Sequence, residues 1–163
     1  MKPTDLSRGR GISIINDCMS VRLEQQSVIQ KYISNPLLIR GIKWDMRIYV
    51  LITQMRPMKL YLYKEGIVRF SSDRYNIKNL GNQFSHLTNS SINKNSTTKQ
   101  VEGNTLKWSF DQLRGQLSGG GVSWQELWVR IEQIITLTCI NYCSVVPNLK
   151  TCFELLGFDI LLD

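Results

Sequence analysis

Residues 30–51, QKYISNPLLIRGIKWDMRIYVL, carry an apolar β-run threaded with charges at alternate positions. From Lys43 onward the odd positions hold Lys43, Asp45, Arg47 and Tyr49, and the even ones Trp44, Met46, Ile48 and Val50. Successive side chains of a strand point to opposite faces, so the even set is expected to pack into a core. The odd set then places a cation, an anion and a second cation about 7 Å apart along the other face. On spacing alone, a solvated strand face with cross-strand ion pairs is the simpler reading.

On the C-terminal side, the Arg56-Pro57 break separates this strand from a second run, Lys59 to Tyr63. Lys64-Glu65-Gly66 then reads as a tight turn into a third strand, Ile67 to Phe70, giving an antiparallel meander. In-order pairing brings Arg69 towards the face of Asp45 and Arg47. On the N-terminal side, Ser27 to Ile33 reads as a short strand ending at the Asn35-Pro36 turn, after a polar connection over Asn16 to Gln26. Earlier still, SRGRGISII at 7–15 sets two glycines and two arginines before a β-branched run. Such a turn can expose N–H groups to an anion, with Arg8 and Arg10 adding charge-assisted bonds. It is also compatible with a plain basic hairpin. It lacks the GxGxxG spacing and the GK[ST] ending of the Rossmann and P-loop fingerprints.

Residues 71–104, rich in Ser, Asn, Thr and Lys, read mostly as loop. Within them His86-Leu87-Thr88-Asn89 concentrates hydrogen-bonding side chains, which a turn or helix cap also explains. Ser109 with Gln112 fits a capping box for a helix carrying Phe110, Leu113 and Leu117, which Gly119-Gly120-Gly121 stops. Ser123 with Glu126 opens a longer helix, with Trp124, Leu127, Trp128, Ile131, Ile134 and Ile135 as its apolar face. The last stretch, CFELLGFDILLD at 152–163, is an apolar strand interrupted by Asp159. A carboxylate there requires a cation, either Mg²⁺ or an internal Arg or Lys.

The chain has 163 residues, 20 Lys plus Arg against 13 Asp plus Glu, a net charge of +7 and 42% hydrophobic residues. This is ordinary globular composition, and the charge favours a polyanionic partner without choosing one. No apolar run approaches the roughly 20 residues of a membrane span, and MKPTDLSRGRG has no secretory h-region, which places the protein inside the cell on this reading. Cys18, Cys139, Cys143 and Cys152 show no CxxC spacing, and with a single His86 they read as reduced thiols rather than a zinc set. No RNP, KH or helix-turn-helix pattern supports a nucleic-acid partner.

KPTDLSRGRGI, QKYISNPLLI, KWDMRIYV, EGIVRFSS, HLTNSSINK and CFELLGFDILLD, in this order, resemble the tubulin tyrosine ligase-like family, and within it the polyglutamylases. The resemblance implies an α+β chain with a partial ATP-grasp fold, an antiparallel sheet with packed helices. Residues 1–29 would belong to the central domain, with its Gly/Arg-rich phosphate loop, and 30–163 to the C-terminal domain. The implied activity is ATP-dependent addition of free glutamate to glutamate side chains in the acidic C-terminal tail of tubulin, through an acyl phosphate. ATP and Mg²⁺ are the implied cofactors, tubulin tails on microtubules the partner, and the cytoplasm and cytoskeleton, including cilium or basal body, the location. Neither nucleic acid nor membrane is an implied partner.

Carried over by motif, Lys2 and Arg8 approach the ATP phosphates and the backbone at Gly9 and Gly11 covers them. Gln30, Lys31, Tyr32 and Ile33 meet adenine, and Lys43 and Asp45 the ribose. Arg47 and Arg69 are the catalytic pair, stabilising charge at the γ-phosphate. His86, Thr88 and Asn89 lie beside nucleotide and substrate, and Asp159 is a Mg²⁺ ligand. The family pattern continues past GFDILxD into a strand ending in Glu-x-Asn, whereas this sequence stops at Asp163. The expectation is therefore a fragment, partial gene model or truncated isoform with poor catalysis of its own. A catalytically inactive nucleotide- or microtubule-binding member and a tubulin glycine ligase remain the alternatives.

Overall fold

The strand at the centre of the sequence reading is β4, Ile42–Gln54, in a computed structural model that describes residues 1–17, 19, 21, 26–96, 106–147 and 151–163. Its even positions behave as the period of two requires: Trp44, Met46, Ile48, Val50 and Ile52 are all at most 1% exposed. Its odd positions split. Lys43 and Asp45 are buried, so the solvated-face reading fails for them, while Arg47, Tyr49 and Leu51 are partly exposed.

Before β4 lie the two-residue strands β1 (Lys2–Pro3), β2 (Ser27–Val28) and β3 (Leu38–Ile39). After it come β5 (Lys59–Arg74), the short helices α1 (Gln83–His86) and α2 (Ser90–Asn93), β6 (Lys107–Trp108), α3 (Phe110–Gly119), α4 (Trp124–Val145) and β7 (Glu154–Ile160). The main sheet has the order β3-β4-β5-β6, with β7 also on β4, and β1 pairs with β2 separately. The pairings β1–β2, β3–β4 and β4–β7 are antiparallel. This is a mixed α/β chain with an antiparallel sheet, as expected. The described residues gather into two compact units, one of Met1–Asp45, Arg69–Leu106 and Leu161–Asp163, the other of Met46–Val68 and Lys107–Ile160.

The first unit has a small apolar core, Ile39, Ile42, Trp44 and Phe70, and an unusual share of buried polar side chains: Lys43, Asp45, Arg69, Ser71, Ser72, Ser85, His86, Thr88, Asn93 and Ser96. The second is apolar inside. Met46, Ile48, Val50, Ile52 and Val68 line its strands, Phe110, Leu113 and Leu117 come from α3, and Ile131, Ile135, Cys139 and Cys143 from α4. Phe110, Trp124 and Trp128 lock α3 to α4, with ring centroids 5.5–6.0 Å apart. The Ser109/Gln112 capping box has both its bonds, and Ser123 accepts from the Glu126 N–H.

Three expectations are corrected. Lys64-Glu65-Gly66 is no turn, because β5 runs unbroken from Lys59 to Arg74. Gly66 serves close approach instead: a Cβ there would stand 2.5 Å from both the Arg47 carbonyl oxygen and Phe110 Cζ. Ile134 is 52% exposed, since the buried stripe of α4 follows the i+4 series from Ile131 to Cys143. Residues 71–104 are mainly loop over their described part, as expected, with the end of β5 and the short helices α1 and α2 set into them. Residues 97–105 and Cys18, with part of the Asn16 to Gln26 connection, lie outside the described residues. Only Ser27–Val28 of the expected strand 27–33 is in a ladder.

Gly66→Ala should destabilise the protein by about 2 kcal/mol, the cost of overpacking against a backbone atom that cannot swing aside. Urea unfolding checks this, and an unchanged midpoint would show that β5 has room at residue 66.

Candidate functional site

Asp45 is the centre of the first unit. Its Oδ1 accepts from Arg69 Nε at 2.8 Å, its Oδ2 from Arg69 Nη2, and Thr88 Oγ1 donates to Oδ2 at 2.7 Å. All three residues are at most 8% exposed. The guanidinium fork matches the carboxylate in two parallel bonds, which fixes the plane of Arg69 as well as its place.

Lys43 precedes Asp45 by two residues on β4. Its ammonium donates to the Tyr32 hydroxyl at 3.0 Å and lies 4.5 Å from the centroid of the Tyr32 ring. Burial, opposed by the Asp45 charge, pulls its pKa down to about 8. The Tyr32 hydroxyl in turn stands 2.8 Å from His86 Nδ1, and His86 Nε2 is 3.0 Å from the Asn79 carbonyl oxygen. A carbonyl only accepts, so Nε2 carries the proton and Nδ1 accepts from Tyr32. Burial holds the imidazole pKa below its ordinary value and the phenol pKa above its own, which keeps both neutral.

Local structure delivers these groups. The Asn82 side chain caps α1 by accepting from the Phe84 N–H, and its amide donates to Asp73. Asn93, at the end of α2, accepts from the N–H and hydroxyl of Ser72 at 2.8 Å each and donates to the Leu87 and Asn89 carbonyls. It thereby fastens the 87–89 segment carrying Thr88 to the end of β5. The turn at 8–11 docks on the same segment. Ser91 Oγ donates to the Arg8 carbonyl at 2.6 Å, and a Cβ at Gly9 would stand 2.5 Å from Ile92 Cδ1 and 3.0 Å from Asn89 Oδ1. Arg8, Gly9 and Gly11 have φ of 61°, 82° and 71°, so the glycines are required there and Arg8 is held in a sparsely populated conformation.

The fold therefore brings together Tyr32, Lys43, Asp45, Arg69, His86 and Thr88, and separately Gly9 and Asn89. Lys2, Arg8, Gly11, Gln30, Lys31 and Ile33 are exposed. His86 is 1% exposed with both ring nitrogens engaged inside the protein, and its link to Lys43 runs through the Tyr32 hydroxyl. In the second unit Arg47 and Asp159 face each other across β4 and β7, with Nε–Oδ1 at 2.6 Å and Nη2–Oδ2 at 3.2 Å. Gly157 leaves room for this, since a Cβ there would lie 3.2 Å from Arg47 Cδ. Of the two cations the sequence allows at Asp159, the described one is internal. Among the described residues no three His, Cys, Asp or Glu side chains gather as a metal-binding set. Mg²⁺ requires an octahedron of oxygens, and one carboxylate already bridged to Arg47 does not by itself fit it.

Sequence reasoning missed Asn93, Ser72, Asn79 and Tyr75. Asn93 lies inside the quoted HLTNSSINK motif, which was a usable signal. For Tyr75, at the close of β5, no local pattern pointed to a role.

Three outcomes test this site. Protonated Lys43 is disfavoured in the folded state, so stability should rise with pH from about 8 to the ordinary 10.5, where only the unfolded chain still holds the proton. NMR of the reductively ¹³C-methylated protein should show one lysine titrating near 8 that is absent in Lys43→Met; a full set of ordinary lysine titrations would refute the burial argument. Arg69→Met should cost about 3–5 kcal/mol by leaving the buried carboxylate without its cation. A loss below about 1 kcal/mol, the range of exposed pairs, would mean that Asp45 is solvated.

A family model described as the tubulin-tyrosine ligase family matches residues 1–163. The chain is 43% identical over 166 residues to "Probable tubulin polyglutamylase TTLL2" of Homo sapiens, covering 99% of this chain and 28% of that protein. It is 40% identical over 179 residues to "Tubulin polyglutamylase TTLL5" of Homo sapiens, covering 100% of this chain and 14% of that protein. "Tubulin glycylase 3D" of Tetrahymena thermophila is 36% identical over 174 residues, with 100% and 17% covered. The chain thus spans less than a third of the length of these relatives. With the family model matched along all 163 residues, the chain belongs to the tubulin-tyrosine ligase family.

Proposed function

We propose that this chain is the nucleotide-binding part of an ATP-dependent ligase that joins glutamate to glutamate side chains of tubulin tails. The observation that carries the reading is that residues from separate motifs converge on β4: Tyr32 and His86 are bonded in a chain to Lys43, Arg69 and Thr88 are bonded to Asp45 two residues on, and the Asp45 charge acts on the Lys43 ammonium. The whole-chain likeness to a tubulin polyglutamylase supports the choice of substrate. An ATP-grasp fold, with residues 1–29 in its central domain and 30–163 in its C-terminal domain, and a cytoskeletal location belong to the same proposal. Among the described residues no helix is long and apolar enough to cross a membrane.

The residues present fit a nucleotide. Exposed Lys2, Arg8 and Lys31 offer charge to phosphates, and the exposed backbone at Gln30 to Ile33 offers donors and acceptors to a base edge. Lys43 and Asp45 would serve the ribose side, with Thr88 and Asn89 beside it. In the reaction, a tail carboxylate oxygen attacks the γ-phosphorus and ADP leaves. The glutamate amine then attacks the acyl carbon, phosphate leaves, and the amine proton is released as the amide forms. By motif Arg69 and Arg47 are the pair proposed to stabilise charge in this transfer, and each guanidinium is oriented within its own unit, Arg69 by Asp45 and Arg47 by Asp159. Preorganisation is the useful property here, since neither guanidinium must reorient as charge develops.

A second reading has its own support. Asp159 is bridged to Arg47 and no metal-binding set forms among the described residues, as in a member that binds nucleotide or microtubules without turnover. Glycine as donor is a further variant, given the likeness to a tubulin glycylase.

In the intact protein that carries this chain, ¹⁴C-glutamate should be incorporated into tubulin. Arg47→Ala should lower that rate by at least about a hundredfold, the scale for removing one transition-state donor, while the protein stays folded. Incorporation of glycine instead identifies the glycylase variant. ATP binding with no incorporation of either amino acid identifies the inactive reading, and unchanged turnover in Arg47→Ala removes Arg47 from the catalytic pair.

A further inference from the structure

Tyr75 stands at the junction of every element that builds the nucleoside end of the proposed site. Its hydroxyl donates to the Ser34 carbonyl at 2.8 Å, directly after the Gln30 to Ile33 segment. Its backbone N–H donates to the Gly41 carbonyl at 2.9 Å, in the turn that leads from β3 into β4. Its ring meets the His86 ring edge-on at 5.3 Å and 82°, while Tyr32 meets His86 at 5.7 Å and 78°. The Lys43 ammonium lies 5.9 Å from the centroid of the Tyr75 ring and 4.5 Å from that of Tyr32. One residue, half-buried, thus reaches the 30–34 segment and the His86 imidazole with its side chain and the turn before β4 with its backbone, and its ring lies near the Lys43 cation.

We propose that Tyr75 is a positioning residue for the nucleoside end of the site: it holds the 30–34 segment at Ser34 and, with His86 and Tyr32, keeps the Lys43 ammonium in place. This rests on the nucleotide-binding reading above and adds a residue to it. The physical need is plain. The segment 29–33 is outside the strand ladders, so nothing in the sheet fixes its distance from β4. A tyrosine anchored by its own backbone at Gly41 supplies a rigid strut of fixed length, with only two side-chain torsions to order. The cation is treated likewise, since two nearby rings restrict a flexible four-carbon stem.

The consequence is selective. Loss of Tyr75 loosens the part of the site that meets base and ribose and leaves the Arg8–Gly11 turn, docked through Ser91 and Gly9, as it was. The test is calorimetric binding of ATP and of inorganic tripolyphosphate to the intact protein, as wild type, Tyr75→Phe and Tyr75→Leu, with thermal unfolding of each. Tyr75→Leu should weaken ATP about tenfold, as expected for one or two lost contacts, with tripolyphosphate unchanged within about twofold. Tyr75→Phe keeps the ring and loses only what the hydroxyl makes, the bond to Ser34 and its contact with Tyr32, so it should weaken ATP about threefold. If a folded Tyr75→Leu binds both ligands as wild type does, or weakens both equally, Tyr75 does not position the nucleoside end. Should the leucine variant not fold, the phenylalanine variant decides on the same criteria. Failure of the wild-type protein to bind ATP overturns the nucleotide reading itself, and the role of Tyr75 with it.

Discussion

A carboxylate buried to the extent of Asp45 is untenable without full compensation, and the first unit is arranged around meeting that requirement. Two bonds come from Arg69 near the end of β5 and one from Thr88 in the segment between α1 and α2. Each donor must itself be held. Thr88 is in place because Asn93 ties its segment to Ser72, and that segment also receives the Arg8–Gly11 turn through Ser91. Burial of one charge thereby determines where three stretches far apart in sequence meet. The polar interior is expensive, and a network of this kind is retained where geometry matters more than net stability.

The second unit solves the opposite problem. Its interior is almost wholly apolar, with Met46, Ile48, Val50 and Ile52 of β4 buried along with Phe110, Leu113, Ile131 and Ile135. Such a core is rigid because it is close-packed, and Gly66 shows how tight it is, with backbone and aromatic ring where a side chain would otherwise stand. Arg47 is carried on that platform and aimed by Asp159 across the β4–β7 ladder. The two bonds to Asp159 fix the plane of that guanidinium, so its orientation is set by the fold.

Family membership narrows what these devices serve. Relatives named as polyglutamylase, monoglutamylase and glycylase share 36–43% identity with the chain, so a likeness of this degree spans proteins named for different amino-acid donors.

The strand β4 was legible from the sequence because a period of two over thirteen residues is a local signal, and its even positions are buried as that period demands. Helices α3 and α4 were legible for the same reason, their caps and apolar spacing lying within a few residues of one another. The likeness in the six motifs pointed to the family, which the comparison along the whole chain shows. Tertiary structure alone decided that Lys43 and Asp45 are buried, since alternation gives the face and not what covers it. It alone decided that Lys64-Glu65-Gly66 continues a strand, because turn-forming residues yield to a neighbouring backbone that leaves no space for a side chain. It also alone revealed the contacts of Tyr75, Asn79 and Asn93, whose partners lie on other segments. The sequence by itself determined which residues alternate, cap and repeat; the fold decided which distant groups meet, because burying a charge requires partners that no local spacing specifies.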